Sequence, residues 1–240
     1  MRNKLKKVFR SLLMLILVVS VWYLNHQEEV HEALQTISNF HLVQSYSNLD
    51  DIPEWNGTDA YVFVNDNVPV FDTPIAESYI DLSSLDLLGR CGPAEGCFYI
   101  DDLPTEARGD ISSVKPSGWQ SIPDETIDGG WLYNRCHLIA YMISGLNDEP
   151  RNLITGTRYM NIEGMLPFEN LAHDAILSGD VHVMYRVTPV FSGTELICRG
   201  VQMEAYSVED SGYSVQFNVF CYNVQPGWAI VYADGSALKS

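Results

Sequence analysis

The chain reads Asn134-Arg135-Cys136-His137 and, 24 residues past that histidine, reaches Asn161 at the end of Asn152-Leu153-Ile154-Thr155-Gly156-Thr157-Arg158-Tyr159-Met160-Asn161. Gly164-Met165-Leu166-Pro167-Phe168-Glu169 follows directly. A histidine changes charge near neutral pH and can take a proton from water. An amide oxygen can hold a divalent cation and leave most of its positions to water and phosphate. Arginines can fork onto phosphate oxygens. Together these are the parts needed for metal-assisted cleavage of a phosphodiester. Spacing alone leaves plainer readings open. His137 can be a hydrogen-bonded core histidine, Asn161 a helix cap, and Glu169 an ordinary acid in a helix's first turn. Arg108, Arg135 and Arg158 can make surface ion pairs.

Outward from this stretch, Tyr133 to Ile143 is apolar around the polar motif. Met160 to Leu177 is helix-prone, and because proline suits a first helical turn it reads as two helices meeting near Gly164 and Pro167. The last 60 or so residues alternate over Val181–Val187, Leu196–Ala205, Tyr213–Tyr222 and Trp228–Tyr232, the pattern of an antiparallel meander. Upstream, Tyr61–Val64, Asn65-Asp66-Asn67 and Val68–Phe71 read as strand, turn and strand. Ser78–Leu88 reads as a short helix or loop. Gly89–Gly130 is rich in Gly, Pro, Ser and Asp without periodicity, and a stretch of that kind usually carries function. One α+β domain over 58–240 is expected, preceded by a polar tether over 25–57 with a short helix at Glu28–Ile37.

The first 24 residues differ in kind. Arg2, Lys4, Lys6, Lys7 and Arg10 precede an apolar run from Ser11 to Leu24, which is an export pattern. No small-x-small cleavage site follows, and Trp22 and Tyr23 fit an interfacial anchor. The favoured reading is an uncleaved signal-anchor on the outer face of the cell membrane, with a cleaved signal and secretion second. Beyond residue 24 the chain carries all 31 acidic residues against nine basic ones, a net charge near −22. Such a field repels polyanions. Yet Arg108, Lys115, Arg135, Arg151 and Arg158 gather around the histidine, which suggests a locally positive cleft inside an acidic shell. Five cysteines leave at least one unpaired. Cys91 with Cys97 and Cys198 with Cys221 are conceivable pairs, which would leave Cys136 beside the histidine. Neither CxxC nor HxxxH occurs, so no zinc pattern is present.

The motif Asn134-Arg135-Cys136-His137 resembles the Asp-Arg-Gly-His signature of the DNA/RNA non-specific endonucleases. The series Asn152-Leu153-Ile154-Thr155, Asn161 and Glu169 is similar to that family's block after the histidine, and in particular to its exported, DNA-entry-nuclease-like branch. The resemblance runs from about Tyr61 to Tyr232. It implies an antiparallel sheet carrying a ββα-metal (His-Me finger) active site. It also implies His137 as general base, Asn161 as the direct ligand of Mg²⁺ (or Mn²⁺), and Glu169 holding the waters around that ion. Asn152 would help position the site, and Arg135 would contact phosphate or the leaving group. Arg108 is the candidate transition-state arginine, with Arg158 beside it on the substrate. The substrate would be DNA, and RNA as well; an immunity or uptake partner is left undetermined. Two letters depart from the signature: Asn134 replaces aspartate and Cys136 replaces glycine. They motivate a rival, a non-catalytic nucleic-acid-binding or uptake protein with a nuclease fold. A further rival, Cys136 as nucleophile, conflicts with the alternation of neighbouring side chains along a strand.

Overall fold

The computed structural model describes residues 45–47 and 49–240. The expected signal-anchor and the helix at Glu28–Ile37 lie outside the described residues. Among the described residues no helix is long and apolar enough to cross a membrane.

Seven strands form the main sheet: β1 (Ser45–Tyr46), β2 (Tyr61–Val64), β3 (Tyr79–Leu82), β4 (Ala94–Phe98), β7 (Val183–Val190), β8 (Gly200–Ser207) and β9 (Gln216–Tyr222). Their order is β1-β2-β9-β8-β7-β4-β3. Only β1 and β2 run parallel; the other neighbours are antiparallel. Two short ribbons stand apart, β5 (Tyr133–His137) with β6 (Leu153–Thr157) and β10 (Trp228–Ile230) with β11 (Ala237–Lys239). β7, β8 and β9 are the expected meander, long and rich in β-branched and aromatic residues that suit a pleated surface. Because β1 already pairs with β2, the sheet begins before residue 58.

Several local expectations are corrected. Val68–Phe71 is not a strand, so Tyr61–Val64 has no hairpin partner there and pairs with β9 instead. Asn65, Asp66 and Asn67 all take positive φ, and the chain leaves the sheet rather than returning along it. Val70 is then held from both sides, by its N–H on Glu204 and its carbonyl on Arg186. Ser78–Leu88 contains strand β3, and the Gly- and Pro-rich segment that follows contains strand β4. Trp228–Tyr232 does not extend the meander, because β10 pairs only with β11. Neither expected cysteine pair forms: all five thiols are free and buried. Cys91 donates to the Leu153 carbonyl and Cys97 to that of Ile75, on different elements. Cys198 sits under the Asn223 amide, whereas Cys221 contacts the Met203 sulfur.

The remaining helical structure is a short α1 (Tyr141–Ser144) and one continuous run: a π turn over Met160–Met165 that passes into α2 (Leu166–Leu177). Gly164 therefore breaks nothing. A Cβ there would stand 3.1 Å from Cβ of Cys221, so glycine lets the π turn lie close on β9. Pro167 occupies the first turn of α2, where its missing N–H costs no hydrogen bond. Phe168 then packs edge-on against Tyr61 at 4.8 Å and against Phe217 at 5.1 Å, which docks the helix on the sheet. A second small core, Ile127, Leu132 and Tyr133 covered by Trp119, Ile122, Trp228 and Ile230, supports the β5 end of the molecule.

Candidate active site

Strand β5 carries the motif, and β6 pairs with it in register, His137 opposite Leu153 and Arg135 opposite Thr155. The chain leaves β6 through Arg158 straight into the helical run. Ribbon and helix thus enclose a cleft of about 680 Å³ whose lining includes Arg108, Asn134, Arg135, His137, Arg158, Asn161 and Glu169. Six of the seven proposed site residues reach this one cleft. The seventh, Asn152, is wholly buried behind it. Its side-chain oxygen accepts from the Ile139 N–H and its amide donates to the Ile139 carbonyl, both at 2.9 Å. Asn152 clamps the chain just past His137 and cannot touch substrate.

His137 is buried, and its two ring nitrogens have distinct surroundings. Nε2 lies 2.7 Å from the Asn147 carbonyl. A carbonyl can only accept, so Nε2 carries the hydrogen and Nδ1 keeps its lone pair. Toward Nδ1 comes Nη2 of Arg108, at 3.5 Å, the outer limit of a hydrogen bond. Burial disfavours the imidazolium and the Arg108 charge adds to this, so the pKa of His137 lies below the usual histidine value despite the Asn147 bond. The ring is held neutral, in one tautomer, with its basic nitrogen beside an arginine.

Asn147 escaped sequence reasoning. Its carbonyl orients His137 while its side-chain oxygen accepts the Gly109 N–H at 2.9 Å, so it also fixes the loop that carries Arg108. A backbone carbonyl has no side-chain identity to read, and only the Gly-containing loop at 108–109 hinted at a constrained approach.

Glu169 is buried in the first turn of α2, and burial pushes its carboxyl up to about 8, with Arg108 pulling the other way. No hydrogen bond from another described residue reaches the side chain of Asn161 or Glu169, although both line the cleft. Unpartnered oxygens of a neutral amide and a reluctant carboxyl suit a hard divalent cation that keeps several waters. Among the described residues no group of three or more His, Cys, Asp or Glu could hold a metal ion, so a closed, protein-only cage is not built here. The donor set fits an open site with one amide ligand.

Of the five basic residues expected to gather here, Lys115 and Arg151 do not line the cleft, and Arg151 is spent on Glu149 at 2.9 Å. Arg158 pairs with Asp128 at 2.6 Å and leaves its Nε buried without a partner. Arg135 was expected to face phosphate. Its Nε and Nη2 instead donate to the Val114 and Ser112 carbonyls, and its guanidinium lies 4.0 Å from the centre of the Trp119 ring. It chiefly pins the loop over 112–119. Cys136 faces away from the cleft and is fully buried, and burial drives its thiol far above the usual range. That excludes a thiolate nucleophile.

A two-stranded ribbon running into a helix, with a histidine on its first strand and an amide on the helix, is the ββα-metal arrangement, and its bearers cut phosphodiesters. The chain belongs to the DNA/RNA non-specific endonuclease family, whose model matches residues 75–209. Among solved structures it is similar to NucA from Streptococcus agalactiae with magnesium bound: 25% identity, TM-score 0.65, covering 73% of this chain and 85% of that one. It is also similar to the Sda1 nuclease with bound zinc: 30% identity, TM-score 0.58, covering 68% of this chain and 82% of that one. No curated protein sequence matches significantly.

Proposed function

We propose that the protein is an exported, divalent-metal-dependent endonuclease that cuts DNA, and RNA as well, with little regard to sequence. The observation that carries this reading is the bond from His137 Nε2 to the Asn147 carbonyl, which leaves the Nδ1 lone pair available beside Arg108 in the cleft that Asn161 and Glu169 also line. Nδ1 takes the proton from the attacking water. Asn161, through its amide oxygen, would hold the cation, and Glu169 would support the site beside it. When bound, the cation supplies charge to the phosphate and to the departing 3′ oxygen. Arg108, beside Nδ1, stabilises charge on the phosphate and keeps the neighbouring imidazole neutral until it accepts the proton. Mg²⁺ suits the single hard ligand best, with Mn²⁺ an alternative. NucA is described with magnesium and Sda1 with zinc, so the choice of ion is itself under test. A phosphate-directed Arg108 beside the histidine favours cutting without sequence preference. The N-terminal basic and apolar pattern supports a location on the extracellular face of the cell membrane, or secretion.

The test is digestion of supercoiled plasmid and of RNA by the full chain, with Mg²⁺, Mn²⁺ or Zn²⁺ and with chelator. Wild type should cut both substrates only with metal. His137→Ala should lose cutting by about 100-fold or more while still binding DNA. Undiminished cutting by His137→Ala would sink the assignment.

A further inference from the structure

The cleft contains a residue that neither the catalytic account nor the core explains. Trp131 lines it and is 48% exposed. The other described tryptophans are all engaged. Trp55 donates to the Asp59 carbonyl and meets Tyr159, Trp119 underlies Arg135, and Trp228 donates to Asp124 and faces Lys239. The indole of Trp131 makes no hydrogen bond, ring contact or cation–π contact with any described residue.

Its backbone, by contrast, is firmly held. Trp131 forms an antiparallel bridge with Pro123, Leu132 donates to the Ile122 carbonyl at 2.9 Å, and Gly130 donates to that of Ile127 at 2.8 Å. Gly129 and Gly130 both take positive φ, a turn that only glycine makes without strain, and this turn delivers Trp131 to the cleft. A rigid, two-torsion aromatic on a fixed backbone is a preorganised contact surface.

Its position gives that surface a meaning. Trp131, Tyr133, Arg135 and His137, every second residue, all line the cleft. At about 3.3 Å per residue, Trp131, two residues before β5 begins, lies within about 20 Å of His137 along the chain. Arg158 sits beneath the turn, its Cζ 3.7 Å from where a Cβ on Gly129 would be. An open indole in the cleft that Arg158, paired with Asp128, also lines offers a face on which the base of an unpaired strand can stack. A paired base is stacked inside its duplex and has no free face to offer. In a chain of net charge −17, electrostatic attraction for a polyanion is poor, so stacking has the larger share of affinity left to supply.

We infer that Trp131 is a stacking platform for an unpaired nucleobase at the cleft, so that this subsite adds affinity for single-stranded nucleic acid. The inference rests on the nuclease reading of the cleft. Its test is the fluorescence anisotropy of a labelled single-stranded oligonucleotide, an abasic strand of equal length and a matched duplex, titrated with the full chain in chelator.

Trp131→Ala should weaken single-strand binding about 5- to 150-fold, the range expected for one stacked base. Trp131→Phe should keep most of the affinity, and the abasic strand and the duplex should bind wild type and Trp131→Ala alike. Unaltered single-strand affinity in Trp131→Ala would overturn the inference. So would equal losses on all three ligands, since a general wall or a fold defect moves them together. Plasmid digestion by the same wild-type preparation keeps the two readings apart. Base-dependent binding without metal-dependent cutting leaves the platform standing and removes the nuclease, whereas cutting with no base dependence does the reverse.

Discussion

At the scale of single residues, Glu169 shows what it costs to bury a carboxyl in the cleft. Burial raises its pKa from an ordinary 4.5 to about 8, with Arg108 only partly opposing. In the unfolded chain the same group ionises near 4.5. Between those values the folded state holds a proton that the unfolded state has released, so folding stability falls as pH rises through the window and levels off above about 8. The slope approaches about 1.36 kcal/mol per pH unit for this one group. Glu169→Gln keeps the shape and removes the ionisation. In chelator, its melting temperature should exceed that of wild type by several degrees at pH 8 and match it near pH 4, below the unfolded value, by circular dichroism. A difference of equal size at both pH values would mean that burial of the carboxylate is not its cause.

Among elements, the β5–β6 ribbon explains how a departure from the family signature is tolerated. Cys136 stands where the signature has glycine, and its side chain needs room. Gly156, two residues along β6 from Ile154, the partner of Cys136, provides it. A Cβ at Gly156 would lie 2.5 Å from Cys136 Sγ and 2.5 Å from Cε of Met160. Gly156→Ala should therefore overpack, costing about 1–3 kcal/mol, and should cost less by at least ~1 kcal/mol in a Cys136→Gly background. Urea denaturation of the four variants gives that coupling, and strict additivity would show that the thiol is not what fills the space. The ribbon and its histidine were legible because their chemistry is local: His137, Asn161 and Glu169 are close in sequence, and all three reach one cleft. The sheet was less so. β2 pairs with β9, more than 150 residues away, and such pairing leaves no mark on either segment. β4 hid in a Gly- and Pro-rich segment because Ala94 and Gly96 are small for contact reasons. A Cβ on Gly96 would strike the Phe98 ring and the Tyr79 carbonyl. Arg135 looked like a phosphate ligand by its neighbours, yet its donors are taken by carbonyls 21 and 23 residues upstream, in a loop with no periodicity.

For the whole molecule the question is how so acidic a protein engages a polyanion. Nine basic against 31 acidic residues beyond residue 24 give a repulsive far field, and only Arg108, Arg135 and Arg158 bring positive charge to the cleft. Two of those three are already committed to other protein groups, Arg135 to carbonyls and Arg158 to Asp128. Counterion release scales with the phosphates neutralised, at a slope near −0.9 per contact on duplex DNA. Three arginines at most thus set a slope no steeper than about −3, against about −10 for a protein that binds through many phosphates. At low ionic strength the screening length is about 30 Å, and the acidic shell is felt across the whole approach; at 0.1 M it shrinks to about 10 Å and the cleft alone remains. Cutting of DNA at fixed excess Mg²⁺ should accordingly hold steady or rise between about 10 and 100 mM monovalent salt, where screening relieves repulsion. Above that range kcat/KM should decline with a logarithmic slope shallower than about −3. Initial rates across a salt series measure both limbs. A steep, monotonic fall from the lowest salt would mean that a basic surface beyond these three arginines carries the substrate.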